Sequence, residues 1–498
     1  MEHAQLAEIA ALLGALGAVG ALVTRGGIFP LIGLGLLGAA TGGLAWSLVG
    51  DEDVELLLHD PAGVLLIVIG AAAAFALAVP LARYPAVVPV AMLAAAPFRV
   101  PVQVGAEEAF LLLPLYLVIA AAVLSLAFRI LRGERPPPPP FLLALPLAGF
   151  VTLASTSFLW TWDERAGGVA LAFFVFPFTA GLATVARSPI AEWLPRALLG
   201  TLVALGTLFA AVGIWQAHTR TLFFGRDVAV ANAYTSFFRV TSLFKDPSLY
   251  GRYLVVPIAV LLVAILVRRG RTIDWVVATG FVAFLFLGLF YSYSQSSFVA
   301  LFVVTFAVAV VGADGRTRIV LLACALVATL AAAGVAGASI GGRSAKDVTS
   351  GRSRLVDVTV EAFRERPIAG VGIGGQPKAS SEIVRKGSPS RNASHTTPLT
   401  VLAELGVIGF ALYAWLLGSV AWALYLVART DRTFGVGLAA VFLVLGVHSL
   451  LYAGFFEDPL TWGVVGLACA ALARAPAPRE VAGESTTAAP TAPELLAH

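Results

Sequence analysis

Charge is what this chain has least of: Asp, Glu, Lys and Arg make up 12% of its 498 residues, against 59% hydrophobic ones. No water-soluble domain carries so few charges without exposing large apolar patches, so a soluble globular protein is excluded. Cysteine is nearly missing too. Cys324 and Cys469 lie in separate apolar runs, with neither metal-ligand spacing nor a partner in the loops, so they read as small packing residues and no disulfide framework is expected. Lysine occurs four times, and Lys245, Lys346, Lys378 and Lys386 all fall in two polar stretches. The start, Met1-Glu2-His3, lacks the basic residues that open a secretory signal, so the first apolar run is expected to be a retained span.

What the chain does have is long apolar runs and a mean hydropathy of +0.90. A helix needs about 20 residues to cross a hydrocarbon core of roughly 30 Å. Runs of that kind lie near 6–23, 28–49, 62–82, 108–130, 141–159, 167–187, 195–216, 248–267, 273–291, 294–312, 317–339, 396–427, 434–453 and 459–475. A shorter run at 85–97 carries Pro85, Pro89 and Pro97 and reads as a crossing or a re-entrant segment, which leaves the span count between 80 and 110 open. The fold class expected is an all-α polytopic membrane protein with about 12–15 transmembrane helices.

Arginines recur at alternate connections: Arg129, Arg132 and Arg135; Arg187 and Arg196; Arg268, Arg269 and Arg271; Arg316 and Arg318; Arg429 and Arg432. By the positive-inside rule these connections are cytoplasmic, which places the Asp51-Glu52-Asp53 turn, the Trp160 to Glu164 turn and the long loops 217–247 and 340–395 outside. Pro136 to Pro140 reads as a stiff cytoplasmic linker, and 479–498 as a disordered cytoplasmic tail. No repeat and no soluble domain stands out. Residues 1–478 are therefore expected to form one membrane domain whose working parts are the outer loops and the span ends beneath them.

The first long loop ends Phe238-Arg239-Val240-Thr241-Ser242-Leu243-Phe244-Lys245-Asp246-Pro247-Ser248. Asp246 before Pro247 has the order of a helix cap and a first helical residue, which aims the positive end of the next helix outward, where it can hold a phosphate. Arg252 lies some five residues inside, roughly 8 Å deeper. A guanidinium there either snorkels to the interface or pairs with an anion within the bundle, and its depth favours the second.

The second loop carries ten Lys/Arg against five Asp/Glu over 341–395, which suits an anionic partner. Within it, Leu355, Val358, Ala362 and Phe363 recur at helical spacing, with Asp357, Glu361, Arg364 and Glu365 on other faces. That pattern predicts an amphipathic helix ended by Pro367. Gly370-Val371-Gly372-Ile373-Gly374-Gly375 follows; with no strand before it and no helix expected after it, it reads as a tight turn or close backbone approach rather than a dinucleotide fingerprint. Thr397 and Pro398 then read as the cap and first residue of the next helix, which leaves His395 beside a helix N-terminus and Glu404 near that helix's second turn. His395 is either a solvated loop residue or a proton acceptor. Glu404 either pairs with another span for packing or supports the site from behind.

The run Pro367 to Gly374, then His395 followed by Leu399, Leu402, Ala403-Glu404, Gly406 and Gly409, resembles the signature of the O-antigen ligase and O-antigen polymerase family of bacterial polytopic membrane glycosyltransferases. Arg239 to Ser248 resembles the same family's earlier outward motif, and Arg354 the arginine that opens its loop helix. The resemblance covers roughly residues 200–470. It departs at Tyr293-Ser294-Gln295-Ser296-Ser297, where such proteins often show Ser-Arg; Gln295 carries no charge and is given no phosphate-binding role.

The resemblance implies a GT-C-like enzyme of cell-envelope polysaccharide or lipopolysaccharide biosynthesis in the bacterial cytoplasmic (inner) membrane, with its site on the extracytoplasmic face. It implies transfer of a glycan from undecaprenyl pyrophosphate to a hydroxyl of a glycan, lipid or wall acceptor, with inversion and with neither metal nor other cofactor. Outward carboxylates are sparse beyond the Asp51-Glu52-Asp53 turn, in keeping with that. Membrane lipids are expected partners and nucleic acid is not. Arg239, Arg252 and Arg354 would bind the pyrophosphate, because bidentate guanidinium donors suit phosphate oxygens. His395 would take the acceptor's proton and Glu404 would stand behind the site. Chain polymerisation, ligation and protein O-glycosylation stay open. So does a different class, a transporter or flippase of lipid-linked glycans, although that reading calls for charges spread through several spans, and here they are few.

Overall fold

The computed structural model describes residues 3–49, 61–104, 107–268, 272–320, 352–384, 392–452 and 454–474. Twelve described helices are long and apolar enough to cross a membrane. They are α1 (His3–Val23), α2 (Phe29–Leu48), α3 (Pro61–Arg83), α5 (Leu113–Leu131), α6 (Phe141–Thr156, extended by a 3-10 turn to Trp160), α7 (Glu164–Ala186), α8 (Leu194–Thr219), α10 (Pro247–Leu266), α11 (Thr272–Phe290), α12 (Gln295–Gly312), α15 (Thr397–Thr430) and α16 (Arg432–Leu451). Two shorter apolar helices, α4 (Val88–Ala95) and α17 (Pro459–Arg474), join them among the described residues. The protein is thus a polytopic membrane protein, all-helical among the described residues apart from one small hairpin. The expected run at 317–339 and the tail at 479–498 fall wholly or largely outside the described residues.

Side-chain size decides which helix faces meet. Between α1 and α2 a Cβ on Gly20 would sit 2.9 Å from Gly33 Cα, so the two backbones touch where glycines replace side chains, the usual solution when lipid is as apolar as the partner helix. Helix α3 turns the opposite kind of surface outward: Leu65, Leu66 and Ile67 are all exposed, Leu66 by 69%. In water that stripe would be untenable, and against acyl chains it carries no cost.

The ends of the bundle differ in chemistry. At one end Arg432 donates to Val311 O (2.8 Å) and Arg474 to Ile190 O (2.9 Å), gathering the arginine-rich connections together. At the other end lie the long loops, and these are more ordered than their composition suggested. The first contains α9 (Arg226–Ala233); the second contains α13 (Arg352–Glu365), the expected amphipathic helix, and α14 (Gln376–Val384), which begins directly after the glycine run where no helix was expected. The expected span 108–130 starts only at Leu113, because β1 (Val100–Val104) and β2 (Glu107–Leu111) form an antiparallel hairpin with Val100 opposite Leu111. Alternating valines favour that extended start. A two-stranded hairpin is marginal alone. This one leans on the first long loop, where Phe110 meets Phe224 edge-on (5.6 Å) and Lys245 Nζ lies 5.4 Å from the Phe110 ring.

Candidate functional site

Asp246 caps α10 as expected, accepting from the amides of Ser248 (2.6 Å) and Leu249 (3.2 Å), with Pro247 in the first turn. Arg252 is consequently carried into the bundle and is only 3% exposed. A guanidinium so placed needs an anion. The protein itself supplies one: Nη1 donates to Asp458 Oδ2 at 2.6 Å, and Asp458 also caps α17 through the Leu460 amide (2.9 Å). Arg252 Nε and Nη2 reach His448 Nδ1 at 3.3 and 3.1 Å, and the Tyr452 ring lies 5.7 Å from the guanidinium carbon.

Because arginine can only donate, His448 Nδ1 must accept, and the ring proton is therefore on Nε2. Nε2 lies 3.2 Å from Ser296 Oγ and 3.3 Å from Ser297 Oγ. Ser294 Oγ bonds both of these hydroxyls and caps α12 through the Ser297 amide. The serine run 292–297, which departs from the family pattern, is thus the hub of a buried network. Arg239 joins it by donating from Nε to Ser292 O (3.4 Å), while Asn232 brackets the Arg239 backbone with bonds of 2.9 and 3.0 Å.

The glycine run forms a clamp. Helix α15 is broken at Gly406 (φ 64, ψ −166), a conformation open only to glycine. The break frees the carbonyls of Ala403 and Glu404, which accept from the amides of Val371 (3.0 Å) and Gly372 (2.9 Å), while Val407 N donates to Pro367 O (2.9 Å). On its other side the run bonds the turn after α6: Trp162 N to Val371 O (3.0 Å) and Thr161 Oγ1 to Ile373 O (2.8 Å). Gly370, Gly372 and Gly374 all have positive φ, and a Cβ on Gly374 would meet the Gly167 backbone at 2.5 Å. The close backbone approach read from the sequence is what the structure has.

Behind the clamp, Glu404 Oε1 accepts from the amide of Gln376 (3.4 Å), the first residue of α14. The carboxylate thus caps an outer-loop helix rather than pairing with a span. Buried Gln376 donates to Asn392 O (3.1 Å) and accepts from Ser394 N (2.9 Å). Arg354 Nη2 donates to Asn392 Oδ1 (2.9 Å). Exposed His395 follows, and Thr396 Oγ1 donates to Leu450 O (3.3 Å), two residues beyond His448. The helix cap lies one residue earlier than expected: Thr396 holds that position, its hydroxyl turned to Leu450 O rather than to the amides of its own helix, and Thr397 Oγ1 is buried with no partner. The α15 N-terminus therefore keeps donors available beside His395.

Residues 279–414 match the family model described as O-antigen ligase. That match covers 136 of the chain's 498 residues. No curated protein matches the chain. The matched region holds Ser292 to Ser297, Arg354, His395 and Glu404; it is narrower than the 200–470 of the sequence resemblance and leaves Arg239, Arg252, His448 and Asp458 outside.

Two further charged groups act on this network at a distance. Glu457 lies between α16 and α17, one residue before Asp458, and is exposed. Partial desolvation raises its carboxyl above the usual range, against the opposing pull of Arg99 and Arg252. Arg99 also acts electrostatically on Tyr452. Sequence reasoning missed Arg99, His448, Glu457 and Asp458. Two signals were present: a histidine within an apolar run, and Asp458-Pro459, the same cap-and-proline order as Asp246-Pro247. The Asp51-Glu52-Asp53 turn lies outside the described residues.

Proposed function

We propose that the protein is a membrane glycosyltransferase of the O-antigen ligase and polymerase type, moving a glycan from undecaprenyl pyrophosphate to an acceptor hydroxyl at the loop-bearing, extracytoplasmic end. The observation that carries this reading is the convergence of the matched region on the buried arginine network: the His395 segment is bonded at Thr396 to the α16 turn that holds His448 against Arg252.

In the proposed reaction the acceptor oxygen attacks the anomeric carbon as the bond to the pyrophosphate oxygen breaks on the opposite face, giving inversion. The pyrophosphate leaves with the electron pair, its charge met by Arg239, Arg252 and Arg354. His395 takes the hydroxyl proton, and neutral imidazole is the form able to do so near pH 7. Arg252 is engaged by Asp458 and His448. A phosphate would reach Arg252 through the remaining Nη2 N–H or by taking the place of the Asp458 carboxylate. Glu404 contributes by fixing α14, and through Gln376 the strand that leads to His395.

The test uses purified protein in proteoliposomes with an undecaprenyl-pyrophosphate-linked oligosaccharide, an acceptor and excess chelator. Release of undecaprenyl pyrophosphate is expected, with a product ladder if the acceptor chain is extended repeatedly and a single product if it is capped once. Translocation of intact lipid-linked glycan without release would refute the transferase reading and favour a transporter. Activity that vanishes with chelator and returns with a divalent cation would refute metal independence.

A further inference from the structure

A second feature lies at the opposite end of the bundle. A cavity of about 380 Å³ opens among α4, α5, α7, α8, α10, α16 and α17. Its walls are apolar except at one end, where Glu192, Arg196, Arg268 and Asp431 line it. These four belong to the arginine-rich end, remote from His395. The α10 residues that line it run from Val256 to Ala264, a depth of roughly 12 Å at 1.5 Å per residue, and Arg268 lies just past the helix end. That depth is close to half of a hydrocarbon core of about 30 Å, the thickness of one leaflet. The roof is formed by Ala96, Pro459 and Leu460, directly beneath the Arg252–Asp458 pair.

The void is not forced by helix contact. Gly437 and Gly463 line it, and a Cβ built on either meets nothing within 4 Å. A mid-helix glycine costs about 1 kcal/mol relative to alanine. At Gly20 close backbone approach offsets that cost; here no neighbouring backbone does, and the glycines leave space open. The mouth has its own polarity. Arg196 sits in the first turn of α8, where the helix dipole disfavours a cation and favours an anion. Two guanidinium groups beside two carboxylates match a headgroup that carries both a phosphate and an ammonium.

We propose that this cavity binds one zwitterionic phospholipid, of the phosphatidylethanolamine class, from the leaflet at the arginine-rich end. An acyl chain fills the apolar shaft, the phosphate meets Arg196, Arg268 and the α8 N-terminus, and the ammonium meets Glu192 and Asp431. The lipid pins α8, α10, α16 and α17 together below the network and takes no part in group transfer. This site is independent of the proposed reaction.

The experiment is thermal unfolding of delipidated full-length protein titrated with phosphatidylethanolamine, phosphatidylglycerol or polyprenyl phosphate in mixed micelles. The parent is expected to show a saturable rise in Tm with phosphatidylethanolamine and a smaller one with phosphatidylglycerol. Gly437→Leu with Gly463→Leu fills the shaft and abolishes the rise, while Arg196→Gln with Arg268→Gln weakens it and removes the preference. Leu93→Trp, a second way of filling the shaft, is included in case the double leucine variant does not fold. Equal rises with both phospholipids in parent and filled variants, a rise with polyprenyl phosphate alone, or no rise in the parent would overturn the proposal.

Discussion

Arg252 is the residue whose depth the sequence revealed and whose partner it concealed. Its position relative to Asp246-Pro247 is local information, but Asp458 is 206 residues away, and that pairing exists only once α10, α16 and α17 have packed. His448 escaped notice for the same reason, since its apolar surroundings in the sequence say nothing of the serines it meets in space. Asp458→Asn keeps the α17 cap and removes the charge, so Arg252 is left buried and unpaired. A loss of about 3–5 kcal/mol is expected, read as a fall in Tm, with partial recovery in Arg252→Met, Asp458→Asn. If Asp458→Asn melted like the parent, the pair would not be holding the bundle. Glu457 gives a signed pH effect. With its carboxyl raised above the ordinary 4.5, the folded protein binds more protons than the unfolded chain as pH rises from that value, so stability falls through the interval. Glu457→Gln should flatten this part of the profile of Tm against pH; an unchanged slope would place the cause elsewhere.

At the scale of elements, the amphipathic helix α13 and the glycine approach were legible because their signals are periodic or stereochemical. The hairpin at Val100 to Leu111 was not, because its second strand, Glu107–Leu111, runs almost directly into a long apolar helix and reads as part of it. Helix α14 was hidden by its polar composition, since Gln376-Pro377-Lys378-Ala379-Ser380 carries no apolar period. Its stability comes from tertiary bonds, with Gln376 at their centre. Gly406→Ala forces a side chain into a positive φ and toward the Ile368 carbonyl, so the break in α15 cannot form as it is. A cost of at least about 1 kcal/mol is expected, together with faster proteolysis within residues 352–395, because the clamp loses both of its carbonyl acceptors. Unaltered proteolysis would mean that the glycine run holds without the break.

For the molecule as a whole, hydropathy and arginine spacing were enough to read a polytopic bundle with its polar loops at one end. They could not show that the two long loops fold onto the ends of α10, α12, α15 and α16 as one polar assembly, because that assembly is built from residues between 99 and 458. The arginine pattern predicts the sidedness, with the loop-bearing end outside. In a variant lacking both native cysteines, Lys378→Cys should react with an impermeant thiol reagent in intact spheroplasts, and Thr430→Cys only after lysis. The reverse pattern would turn the protein over and move the site to the cytoplasm. The most direct measurement is single-turnover release of undecaprenyl pyrophosphate by the parent, His395→Ala and Arg252→Gln, each first shown to be folded. The account predicts release by the parent and a fall of about 10²- to 10⁴-fold in His395→Ala, with a comparable loss in Arg252→Gln. Full-rate release by His395→Ala would contradict it, since the proton of the acceptor would then have another destination.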